Sequence, residues 1–207
     1  MQDILEFFGN AERLHYTERT TQMSNGAKES VSGHCWMMSL MATVFAPKLR
    51  SPVDMERVLK LCAVHDLAEA KVGDIPLHKI FNDAVAAEQK HCDEKCVMEQ
   101  FCEMLGESEL MALWTEYEER ETPEARFVKQ LDKLDVDLQV ACSKTLHYVG
   151  EYDDNVYWRM YFSEKRKDPF KDEPALMQFF NTIQARIESR MKNELGIDPD
   201  IFKEELI

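Results

Sequence analysis

Residues 55–70 read MERVLKLCAVHDLAEA, and their periodicity decides how the chain is built. Met55, Val58, Leu59 and Cys62 recur at three- and four-residue steps, the repeat of one helix face. The segment is also apolar nearly all round, as a helix in the middle of a bundle has to be. Extending the same stripe brings up His65, Asp66 and Glu69, so three ionisable groups stand where core residues belong. Burying unpaired charge is costly, and such groups need partners or a cation. The other reading is that the helix leaves the core at this point and its polar end is solvated. The segment by itself leaves both open.

Helical spacing extends in both directions. Upstream, residues 2–15 suggest a short opening helix carrying Ile4, Leu5 and Phe8, and Thr17–Lys28 reads as a loop. Ser30 is placed to cap a helix from about Val31 to Phe45 that Pro47 stops. On it His34, Met38, Met41 and Phe45 share a face, which turns His34 inward. Pro52-Val53-Asp54 opens the HDLAEA helix, expected to run to about Gly73, with a turn at Asp74-Ile75-Pro76 leading into a further helix. Downstream, helices are expected at about 85–105, 109–120, 123–147 and 174–195. The segment 150–169 is the least regular. In RFVKQLDKLDVDLQV, residues Phe127, Leu131, Leu134 and Leu138 mark the buried face, with Asp132 and Asp135 on a flanking stripe and Asp137 elsewhere. The pattern does not choose between Asp132 and Asp135. The last helix aligns Met177, Phe180, Ile183, Ile187 and Met191, while Trp114 and Tyr117 read as core or subunit contact.

Composition narrows the function. With 7 Gly and 7 Pro in 207 residues and almost no alternating runs, the fold class is all-α, and no repeat or linker divides the chain. A hydrophobic fraction of 44% with 31% charged residues suits a soluble globular protein. Lys and Arg number 25 against 39 Asp and Glu, a net charge of −14, which argues against a nucleic-acid polymer as partner. A small anion is still accessible wherever a metal or an arginine reverses the field. No apolar run is long enough for a membrane span and no secretory signal is visible, so the expected compartment is the cytoplasm. Cys35, Cys62, Cys92, Cys96, Cys102 and Cys142 contain no CxxC pair and read as reduced thiols. His91-Cys92 with Cys96 lacks the second ligand pair that a structural zinc site requires.

The order His34, then His65-Asp66, then Asp132 resembles the HD-domain metal-dependent phosphohydrolases. The wording ESVSGH (29–34), AVHDLAEAKVGDIP (63–76) and ARFVKQLDKL (125–134) is similar to the 5′-deoxynucleotidase branch of that superfamily. An HD dipeptide alone is worth little; three motifs in order with these flanks are specific, and they span residues 19–138. The resemblance implies a single HD-domain helical bundle over 1–207, with the helices of 139–207 packed on the motif-bearing part. It implies His34, His65, Asp66 and Asp132 as ligands of a divalent metal ion (Mn, Co, Fe, Ni, Zn or Mg). It also implies Glu69 as the catalytic acid, Asp74 on the sugar and Arg19 on the phosphate of a small nucleotide substrate, and commonly a homodimer. Glu69 follows His65 by four residues, one helical turn. The sequence departs from the family after Arg19, where Thr20, Thr21 and Gln22 stand in place of an aromatic or apolar residue.

The expected reaction is release of phosphate from deoxynucleoside 5′-monophosphates. Its rivals are a small triphosphohydrolase or a phosphodiesterase built on the same site, and a regulatory module that binds metal or nucleotide without turnover. No GYP follows the HD doublet, which disfavours a cyclic-dinucleotide esterase.

Overall fold

The computed structural model describes residues 1–75, 83–106, 109–146, 158–159 and 161–203. Among them are eight α-helices and one two-stranded hairpin, so the all-α class holds. In chain order the helices are α1 (Gln2–Ala11), α2 (Val31–Phe45), α3 (Met55–Val64), α4 (Glu69–Val72), α5 (Ala84–Leu105), α6 (Glu109–Glu119), α7 (Pro123–Cys142) and α8 (Pro174–Arg190). At the centre α2, α3 and α7 pack against one another. α6 closes over α3 and α7, α8 lies along α7, and α5 packs on α1, α4 and α6. No helix among the described residues is long and apolar enough to cross a membrane.

Local chemistry sets the helix starts. Ser30 Oγ accepts from Gly33 N at 3.1 Å to begin α2. Asp54 accepts from Glu56 N and Arg57 N ahead of α3, and Thr122 Oγ1 caps α7 with Pro123 in its first turn. Each such cap contributes about 1 kcal/mol. The central faces are filled by Met38, Met41 and Phe45 from α2, Val58, Leu61 and Cys62 from α3, and Phe127, Leu131 and Leu134 from α7. Phe180, Ile183, Ile187 and Met191 are buried at the last helix as expected, whereas Met177 is only half-buried.

Several expectations are corrected. Residues 17–28 are not a loop. Glu18–Gln22 (β1) pairs antiparallel with Lys28–Ser30 (β2), with a register irregularity between Glu18 and Gln22. The connection turns at Asn25-Gly26, where Gly26 has φ +89° and Asn25 Oδ1 accepts from Ala27 N at 2.9 Å. That geometry suits glycine, and Asn-Gly is a strong hairpin signal. The HDLAEA helix is not continuous either. After Val64 the backbone tightens to three-residue hydrogen bonds, Leu67 N to Val64 O, Glu69 N to Asp66 O and Lys71 N to Ala68 O, each 3.0 Å. His65-Asp66 therefore occupies a 3₁₀-like turn between α3 and α4.

The opening α-helix ends at Ala11 and a 3₁₀ turn follows; it buries Phe7 and leaves Ile4, Leu5 and Phe8 exposed. Leu59 is 41% exposed and falls off the inner face of α3. Asp137 is fully buried and pairs with Arg166. α7 stops at Cys142, short of its expected end at about His147, because residues 143–146 are not helical; His147 itself and the turn at Pro76 lie outside the described residues. All six cysteines are free; Cys62 is buried, and Cys92 and Cys96 are exposed.

Candidate active site

Four of the residues singled out by sequence meet at one point. His34 enters one turn into α2, His65 and Asp66 come from the tight turn after α3, and Asp132 comes from the middle of α7. His65 Nε2 lies 3.1 Å from Asp66 Oδ2 and 3.4 Å from His34 Nε2. His34 Nε2 lies 3.3 Å from Asp132 Oδ1 and 3.8 Å from Asp66 Oδ2. Ligand atoms of His34, His65 and Asp66 all fall within 4.8 Å of one another.

The backs of these side chains are fixed. His65 Nδ1 is 3.0 Å from the Cys62 carbonyl, which can only accept, so Nδ1 carries the proton and Nε2 presents its lone pair. His34 Nδ1 donates to Asp135 Oδ2 at 2.6 Å, which fixes the ring and turns its Nε2 toward the cluster. Asp132 Oδ2 accepts from Tyr117 Oη and from Lys129 Nζ, both at 2.8 Å, while Oδ1 faces His34. Groups crowded in this way need a proton or a cation shared among them. Two imidazoles and two carboxylates form the donor set of a borderline divalent metal, and these residues fit one. Burial alone would push the Asp66 and Asp132 carboxyls up. The imidazoles, with Arg19 beside Asp66 and Lys129 beside Asp132, outweigh it and hold both well below the usual range. Burial also works against a charged His34, but hydrogen bonds to Asp132 and Asp135 push it up to about 9, a proton standing where a metal would go.

The remaining three candidates surround this cluster. Arg19, on β1, places Nη1 3.3 Å from Asp66 Oδ2 and Nε 3.6 Å from Glu29 Oε2. Burial opposes its charge, and Asp66, Asp132, Asp74 and Glu69 more than restore it. Glu69 begins α4 and is 4% exposed, with Oε2 lacking a hydrogen-bond partner among the described residues. Burial, then Asp66 and Asp74, raise its carboxyl well above the ordinary value, against the pull of Lys90 and Arg19. Asp74 follows Gly73 (φ +78°) and is half-buried within the field of Arg19 and Asp66, its carboxyl raised chiefly by burial.

Sequence reasoning passed over Glu29 and left the roles of Asp135 and Tyr117 unassigned. Glu29 is buried and held by Thr21 Oγ1 at 3.2 Å and Gln139 Nε2 at 2.9 Å; it steadies Arg19 from behind. Its place at the head of ESVSGH was the available signal. Asp135 is completely buried and orients His34, so the two acids left open on α7 have different positions: Asp132 faces the cluster and Asp135 stands behind it. Tyr117 is core, as expected, yet its hydroxyl reaches Asp132, and no spacing rule could have revealed that.

The HD domain family model matches residues 11–169, a span that contains every candidate residue. The human protein named 5′-deoxynucleotidase HDDC2 is 35% identical over 190 residues, 89% of this chain and 86% of that one. Its Dictyostelium discoideum namesake is 34% identical over 207 residues, 95% and 96% of the two chains. A crystal structure described as a predicted metal-dependent phosphohydrolase from Magnetospirillum magnetotacticum MS-1 superposes with a TM-score of 0.71 at 22% identity, covering 91% of this chain and 93% of that one. At that identity the likeness speaks for the fold. Taken with the converging imidazoles and carboxylates, these matches have one outcome: the chain belongs to the HD domain family.

Proposed function

We propose that this protein hydrolyses deoxynucleoside 5′-monophosphates to nucleoside and phosphate, with His34, His65, Asp66 and Asp132 holding a divalent cation. The observation that carries the reading is the meeting of two imidazole Nε2 atoms and two carboxylates from three separate stretches of chain. The names of the full-length relatives support the substrate class. When bound, a divalent ion makes water nucleophilic near neutral pH and offsets phosphoryl charge.

The chain's own residues do the rest. Arg19, held on β1 by Glu29, shares the phosphoryl charge and orients the ester for in-line attack. Burial, then Asp66 and Asp74, raise the Glu69 carboxyl, which favours its giving a proton to the departing 5′-oxygen. Asp74, one residue beyond Gly73, accepts from a sugar hydroxyl and helps hold the sugar. The packed helices behind His34 and His65 keep bulk water from the rear of the site. A cytoplasmic homodimer belongs to the same proposal, and sedimentation velocity reads the dimer directly.

The test is a substrate panel. Chelator-free protein is assayed with Mn, Co, Fe, Ni, Zn and Mg against nucleoside mono-, di- and triphosphates. Phosphate from deoxynucleoside monophosphates is expected, and Asp132→Ala should lose activity by several orders of magnitude. Pyrophosphate or triphosphate from triphosphates would replace this reading with a triphosphohydrolase. Silence throughout would replace it with a binding module.

A further inference from the structure

Glu69 is approached by a cation from an element that supplies none of the other site residues. Lys90 lies near the start of α5, and its ammonium sits 3.8 Å from Glu69 Oε1. One turn further along, Glu94 pairs with the same ammonium. A Lys–Glu pair four residues apart on a helix ordinarily lies in water and contributes little. Here Lys90 is only 20% exposed and Glu94 is buried, so both have given up hydration to stand on the inner face of α5. Such an arrangement has a cost that helix formation alone does not require. Its consequence is an unequal carboxyl: Glu69 Oε1 faces Lys90, while Oε2 is buried without a hydrogen-bond partner among the described residues.

We propose that Lys90, steadied by Glu94, is a positioning residue for Glu69, occupying one carboxyl oxygen so that the other is presented to the substrate. The inference rests on the reading of Glu69 as the acid of a nucleotide phosphohydrolase. Lys90 acts through Glu69 and does not itself grip the phosphate, which is Arg19's position beside Asp66. Removing Lys90 therefore changes the rate of the chemical step and not the binding of nucleotide.

A double-mutant cycle tests this on the metal-loaded full chain. kcat and KM are measured with the monophosphate that the wild type hydrolyses, for wild type, Lys90→Met, Lys90→Arg, Glu69→Gln and the Glu69→Gln/Lys90→Met double variant. Metal content and melting temperature are recorded for each. Lys90→Met should lower kcat by at least about tenfold with KM within about twofold and metal content unchanged, a share of the general acid contribution. Lys90→Arg should recover most of the loss, and in the Glu69→Gln background Lys90→Met should cost nothing further. A raised KM at unchanged kcat would overturn the inference in favour of direct substrate contact. The same loss in both backgrounds would overturn it in favour of a merely structural role. If Lys90→Met does not fold, Lys90→Gln takes its place in the cycle. A wild type inactive on every nucleotide would remove the functional reading and this inference together, whereas an active wild type matched by Lys90→Met would remove this inference alone.

Discussion

His34 shows how much of the proposed metal site lies behind its ligands. Its Nε2 is useful because Asp135 takes Nδ1–H at 2.6 Å, fixing both tautomer and ring angle. Such outer partners are typically worth about 10- to 100-fold in metal affinity. Asp135→Asn should lower affinity for Mn²⁺ by that order while the fold persists, as read by competition with a metal indicator; unchanged affinity would mean that packing alone orients the ring. Glu29 makes a complementary prediction. Burial and the nearby Asp135 push its carboxyl up from the ordinary 4.5 to about 7, against the pull of His34 and Arg19. The folded state thus holds this proton more tightly than the unfolded chain does. The associated stability is fully present below about pH 4.5 and is lost as the pH rises to about 7. In metal-free protein, urea unfolding of the wild type should weaken between pH 5 and 7.5, and Glu29→Gln should show a smaller decline. An identical decline would remove Glu29 as its source.

At the scale of elements, the hairpin is what brings Arg19 to Asp66 and the proposed metal ligands. β1 carries Arg19, β2 carries Glu29, and the turn between them depends on Gly26 at φ +89°. Any other L-residue is strained there. A Cβ would also stand 2.9 Å from Lys144 Cδ, a flexible side chain that can move aside. Gly26→Ala should therefore cost about 1–2 kcal/mol, chiefly from the backbone. It should raise KM for nucleotide severalfold by loosening Arg19, while metal affinity stays unchanged because all four ligands lie on other elements. An equal loss of metal binding would show that the hairpin supports the ligands as well. The same hairpin marks where sequence reading ran out. Thr20, Thr21 and Gln22 offer no apolar alternation, so only Asn25-Gly26 announced the turn, and helical context masked it. The break after Val64 was illegible for a plainer reason: no Gly or Pro lies between residues 54 and 72, and the tightening appears only in the hydrogen bonds. α2 was legible because cap, period and stop agree, whereas α7 offered cap and period without a stop and ends at Cys142, before its expected limit. The four converging residues were legible through motif order, whereas the contacts of their supports, Glu29 with Arg19, Asp135 with His34 and Tyr117 with Asp132, join separate elements and could not be read from spacing.

The molecule as a whole carries a net charge of −14, and the substrate proposed for it is an anion. Arg19, Lys90 and Lys129 gather at the site, but the carboxylates of Glu29, Asp66, Glu69, Asp74, Glu94, Asp132 and Asp135 outnumber them, so a bound divalent ion would make the local field attractive. That ion would also tie together α2, the turn after α3, and α7, and α8 packs along α7. If residues 1–207 form one domain, metal binding must stabilise all of these elements by the same amount. Mn²⁺ is the suitable probe, because softer ions also bind thiols of the unfolded chain and six cysteines are free. At about 100 times its dissociation constant it should add about 2.7 kcal/mol. For a chain of this size that raises the melting temperature by about 5–11 °C. Helix content by far-UV circular dichroism and the environment of Trp36, Trp114 and Trp158 by fluorescence should report one coincident transition, with and without metal. Asp132→Ala should abolish the shift without splitting the transition. Two midpoints, with only one of them moving on addition of Mn²⁺, would mean that the C-terminal helices form a separate unit and that the single-domain proposal is wrong.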